Sequence, residues 1–70
     1  MGPLPVEPLT PREQQTLDLI VAGKSNKEMA KMLGISPRTI EVHRSRIMLK
    51  FGAHNAADLV RKAMLAGLSA

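Results

Sequence analysis

Residues 36–51, Ser-Pro-Arg-Thr-Ile-Glu-Val-His-Arg-Ser-Arg-Ile-Met-Leu-Lys-Phe, hold the densest collection of chemically capable side chains in this 70-residue chain. Ser36 followed by Pro37 reads as a helix start, with a hydroxyl N-cap and a proline at the first helical position. At about 100° per residue, Ile40, Ile47 and Phe51 share one side of that helix. Arg38, Val42 and Ser45 share the opposite side, flanked by Glu41 and Arg46. The outward stripe therefore offers cations, a carboxylate acceptor, a hydroxyl and one small apolar group. Such a set suits phosphate oxygens and the mixed donors, acceptors and methyl groups that base pairs present in a DNA major groove.

Those side chains need a helix held outward by its neighbours, and start and stop signals mark out the frame. Thr10-Pro11-Arg12-Glu13 is a capping box with proline at the first helical position, closed by Gly23. Ser25-Asn26-Lys27-Glu28 is a second capping box, closed by Gly34. Ser36 opens the third helix, residues 37–51, and Gly52 ends it. Asn55 caps a fourth, with Asp58 three residues later and Gly67 at its close. No segment alternates apolar and polar residues with period two, so the expected fold class is all-α with four short helices. The second and third are joined by the tight turn Gly34-Ile35-Ser36, the arrangement of a helix-turn-helix.

Helical periodicity predicts a core of Leu9, Leu17, Ile20, Val21, Met29, Ala30, Leu33, Ile35, Ile40, Ile47, Phe51, Val60, Ala63 and Met64. With Val60, Ala63 and Met64 inward, the last helix has apolar residues to spare, because Leu59 and Leu65 cannot both be buried. Asp58, Arg61 and Lys62 lie near Leu65 on the outer side. A strip of Asp58, Leu59, Arg61, Lys62 and Leu65 suits a helix-to-helix dimer contact.

Composition narrows the function classes. Seventy residues make one domain, expected over 9–70. Residues 1–8 hold three prolines and read as a linker or a remnant of the expression sequence. The formal charge is +4, and all of the surplus sits in residues 36–70, since residues 1–35 are balanced. A basic pI near 10.2 with clustered cations is the electrostatic footprint of a nucleic-acid binder. There is no cysteine, and His43 and His54 are too few and too far apart for a structural zinc site. No cofactor is expected. No apolar run approaches a membrane span and no signal peptide is visible. With no phosphate loop, nucleophile set or carboxylate pair, an enzyme is not expected.

Several ordered blocks resemble one family. Leu-Thr-Pro-Arg-Glu at 9–13, Gly23-Lys24, Ser-Asn-Lys-Glu-Met-Ala at 25–30, Leu-Gly-Ile-Ser at 33–36 and Thr-Ile-Glu-Val-His-Arg at 39–44 look like the LuxR-type helix-turn-helix domain. The run from Ser36 to Arg44 and Leu59-Val60-Arg61 are similar to FixJ-like (NarL/FixJ) two-component response regulators. The resemblance implies a cytoplasmic bacterial transcription regulator's output domain that binds double-stranded DNA as a homodimer. It also implies a regulatory N-terminal domain absent from this chain, and allows RNA polymerase as a further partner.

Roles follow position by position. The resemblance puts Glu41, Val42, Ser45 and Arg46 in the groove-facing slots as base readers. Chemically, Glu41 can accept from a cytosine amino group, Val42 can meet a thymine methyl, and Arg46 can address guanine. Relatives often carry lysine at the positions of Glu41 and Ser45, so generic affinity for the backbone is expected to be weaker here. Arg38, Thr39, Arg44 and Lys50 are assigned to phosphates, as are Asn26 and Lys27 at the start of the second helix. The alternative function is a small helical protein-interaction module docking to RNA polymerase or another regulator. Charge placement separates the two, since a protein-docking face has no need to gather cations around 36–51.

Overall fold

The computed structural model describes residues 8–67, so most of the expected linker, residues 1–7, and the last three residues of the expected domain lie outside the described part. Four helices follow in order: α1 (Pro11–Val21), α2 (Asn26–Leu33), α3 (Pro37–Phe51) and α4 (Ala56–Leu65). No strand occurs among the described residues. The local reasons are those written in the sequence. Thr10 Oγ1 accepts from the Glu13 N–H at 3.1 Å while Glu13 Oε1 accepts from the Thr10 N–H at 3.0 Å. Ser25 and Glu28 repeat this reciprocal pair at α2, at 3.1 and 2.9 Å. Each box satisfies donors that a helix start would otherwise leave orphaned.

The link from α2 to α3 is set by Gly34, whose φ of 69° is left-handed and lets the chain turn after one residue. The Ile35 N–H then donates to the Ala30 carbonyl oxygen at 3.0 Å, which closes the end of α2. Ser36 caps the next helix at once, its Oγ accepting from the Thr39 N–H at 3.1 Å. Two helices are thereby held at a fixed angle by a three-residue turn, and α3 has no freedom to fold back.

The core runs along the inner stripe of α3. Ile40 and Ile47 are fully buried, and Phe51 nearly so, against Leu17 and Ile20 of α1, Met29 and Ala30 of α2, and Leu59 and Ala63 of α4. Each such side chain contributes about 1.5–3 kcal/mol when fully removed from water. Leu9, Val21, Leu33, Ile35 and Val60 pack partly buried around this centre. α3 touches all three other helices, and so it is presented by the rest of the domain.

Two core expectations fail, both on α4. Met64 is 62% exposed, and Leu59 is completely buried. The inner face centres on Leu59 and Ala63, with Val60 and Ala66 packed partly buried at its edges, instead of on Val60, Ala63 and Met64. Both sets have helical spacing, and they differ by a rotation of roughly a quarter turn. Polar contacts select the observed one. Lys62 Nζ donates to the Gly52 carbonyl oxygen at 2.9 Å, which pins that flank of α4 to the end of α3 and turns Leu59 inward.

Candidate nucleic-acid interface

The outward stripe of α3 is present as expected. Arg38, Glu41, Ser45 and Arg46 are exposed, Val42 is 39% exposed, and Thr39 and Arg44 are half-buried. Asn26, Glu41, Arg44, Ser45 and Met48 line one shallow groove, so the start of α2 and the middle of α3 form a continuous surface. Lys27 is exposed on α2. Thr39 Oγ1 lies 2.9 Å from Ser36 Oγ, which leaves both hydroxyls at the helix start and close to any anion placed there.

Ion pairing divides the cations of the second half into two groups. Lys50, Arg61 and Lys62 are engaged internally: Lys50 with Glu13 at 2.6 Å, and Arg61 and Lys62 with Asp58 at 2.9 and 3.1 Å. Among the described residues, Arg38, Arg44 and Arg46 form no ion pair or hydrogen bond. All three lie on α3. Glu41 is likewise unpaired, with neither Arg38 nor Arg44 neutralising it along the helix. A free carboxylate among free guanidinium groups keeps its acceptor capacity for an external donor.

Lys50 departs from its expected phosphate role. Its side chain is 15% exposed, and its ammonium donates to Glu13 and, at 3.1 Å, to the Pro8 carbonyl oxygen. Burial pushes the Glu13 carboxyl up, but Lys50 and the Thr10 N–H outweigh it and hold the group below its ordinary value. The signal was in the capping box itself, since Glu13 has acceptor capacity beyond the Thr10 N–H. Leu59, expected at a dimer contact, is removed from that surface by its burial. Asp58 is held well down, first by the His54 N–H and then by Arg61 and Lys62, so it serves to fix the start of α4. Leu65 and Arg61 remain exposed, now beside Met64.

Other groups make structural contacts. His43 Nδ1 stands 3.5 Å from the buried Thr16 hydroxyl, which itself donates to the Arg12 carbonyl oxygen at 2.9 Å, so His43 packs α3 on α1. Leu49 was missed as a stripe member. It is 80% exposed and lies four residues after Ser45 and seven after Val42, a spacing that the sequence displays.

A family model described as bacterial regulatory proteins, luxR family, matches residues 7–63. The chain belongs to that family. It is a LuxR-type DNA-binding domain like those of FixJ-like transcriptional regulators. The transcriptional regulatory protein FixJ of Bradyrhizobium diazoefficiens is 49% identical over 63 residues, covering 90% of this chain and 31% of that protein. The crystal structure of full-length FixJ from B. japonicum is matched with a TM-score of 0.76 at 50% identity, over 86% of this chain and 30% of that one. VqmA of Vibrio cholerae, solved as a complex with ligand and DNA, gives a TM-score of 0.85 at 33% identity over 90% of this chain and 28% of that one. This LuxR-type domain thus spans about a third of the length of the curated relatives it matches. No helix among its described residues is long and apolar enough to cross a membrane.

Proposed function

We propose that this LuxR-type domain binds double-stranded DNA sequence-specifically with α3 in the major groove, as the output module of a cytoplasmic two-component response regulator. The observation that carries the reading is the division of the cations. Of the six cations in residues 36–70, those that hold the fold together are paired with Glu13 and Asp58, and the other three sit on α3, beside the likewise unpaired Lys27 of α2. A free guanidinium group has five donors and suits phosphate or guanine. Glu41, Val42, Ser45 and Arg46 read base edges in this account. Arg38, Thr39 and Arg44 hold phosphates, with Asn26 and Lys27 added from α2.

Two copies arranged about a two-fold axis place their α3 helices in successive major grooves, about 34 Å apart. The contact between them runs over Arg61, Leu65 and the neighbouring Met64, with Asp58 and Lys62 setting the start and flank of α4. Similarity to the transcriptional regulatory protein FixJ, of which the match covers 31%, supports a place for this domain in a longer regulator. A docking module for RNA polymerase has less support, because free cations gather on α3 and not on the apolar outer face of α4.

Fluorescence anisotropy with a labelled random duplex over a range of salt tests the reading. Counterion release predicts a linear fall of log K with log salt at a slope of about −0.9 per phosphate neutralised. Binding that ignores salt, or no binding at low salt by the folded protein, contradicts it.

A further inference from the structure

Leu49 is the most exposed large apolar side chain among the described residues, at 80%. Seven residues after Val42, it falls about 20° from it around α3 and about 10 Å further along the axis. Ser45 and Arg46 lie between the two and carry the polar part of the stripe. Leu49 also borders two surface grooves, one shared with Glu41 and Ser45 and the other with Arg46 and Thr10. It therefore extends the outward face of α3 into the helix's last turn. An aliphatic chain offers a phosphate oxygen nothing. The apolar group that a base pair displays in the major groove is the C5 methyl of thymine.

We propose that Leu49 is a specificity-determining residue that meets a thymine methyl at the far end of each half-site, an inference that rests on the reading of α3 given above. A separation of about 10 Å corresponds to roughly three base steps of about 3.4 Å. Val42 and Leu49 then meet two thymines about three base pairs apart, with the pairs between them read by Ser45 and Arg46. The contact fixes one position of the operator and adds no charge, so it sharpens sequence choice and leaves the salt dependence unchanged.

The test selects sites from a randomised duplex library with the 70-residue chain and its Leu49→Ala and Leu49→Met variants. Circular dichroism checks that each variant folds, which an exposed position should permit. The expected wild-type consensus contains an outer thymine that disappears for Leu49→Ala and returns for Leu49→Met. Replacing that thymine by uracil, which removes the methyl, weakens wild-type binding about fourfold and leaves Leu49→Ala unaffected. If the wild type and Leu49→Ala select the same sequence, or respond alike to uracil, the Leu49 assignment is overturned while the rest of the reading stands. If the wild type enriches no sequence at all, base reading by α3 is overturned, and this assignment with it.

Discussion

Lys50, in the last turn of α3, places its ammonium 2.6 Å from Oε1 of Glu13 at the start of α1. The same oxygen accepts the Thr10 N–H at 3.0 Å, so one carboxylate both caps α1 and anchors the end of the reading helix. The Glu13 side chain is 3% exposed, which leaves water little access to replace the cation. Lys50→Ala should therefore cost about 1.5–3 kcal/mol, the worth of a hydrogen bond to a charged group. Denaturant unfolding measures the loss. The slope of duplex binding against salt should not change; a flatter slope would return Lys50 to the phosphate contacts.

Arg38 and Arg46 separate positioning from reading. Arg38→Ala should weaken binding to specific and random duplexes alike and reduce the salt slope by about 1. Arg46→Ala should reduce discrimination between them by about 1–3 kcal/mol, the range for one good base contact. Anisotropy titrations on both duplexes distinguish these patterns. Equal losses for Arg46→Ala on the two duplexes contradict its base-reading role.

Leu59 and Met64 test how α4 is turned. Leu59→Ala opens a cavity among Ile47, Phe51 and the other core residues and should cost about 2–5 kcal/mol. Met64→Ala, at an exposed position, should change stability by less than about 0.5 kcal/mol. Thermal or denaturant unfolding of both variants decides, and the reverse order would restore the face expected from periodicity.

Acid should destabilise the domain through Glu13, Glu28 and Asp58. Each carboxyl is held below its ordinary value, 4.5 for the glutamates and 3.8 for the aspartate, by backbone and side-chain donors and by nearby cations, Lys50 at Glu13, Lys24 at Glu28, and Arg61 and Lys62 at Asp58. A depressed folded-state value means that the fold binds protons less readily than the unfolded chain. The stability tied to these groups is thus complete above about pH 4.5 and is lost as the pH falls through the folded-state values. Melting temperatures measured over that range should decline with acid, and the decline should be shallower for Asp58→Asn. An unchanged slope in that variant shows that Asp58 is not one of the groups responsible.

The start signals of all four helices were legible because each is local: a hydroxyl or amide three residues before the N–H that it caps. The α3 stripe was legible for the same reason, since fifteen residues give several turns over which to average the period. α4 was not. With ten residues, two apolar faces share the period equally well, and the choice rests on Lys62 reaching Gly52, a contact that no pattern within the helix displays. The capping box showed that Glu13 had acceptor capacity to spare, but not that Lys50 would fill it. The fate of Lys50 depends on Glu13, far away in the chain, and charge counting treats Lys50 and Arg46 alike although one is paired and the other free.

A residue-by-residue titration of isotope-labelled protein with a short random duplex at two salt concentrations tests the central claim most directly. Chemical-shift changes that weaken with salt, centred on Arg38 to Arg46 and on Asn26 and Lys27, are the predicted result, with any smaller changes at Arg61 to Leu65 reporting the contact between two copies. Changes centred on α4, or none at low salt with the fold intact, would contradict the assignment of α3 as the DNA-reading helix.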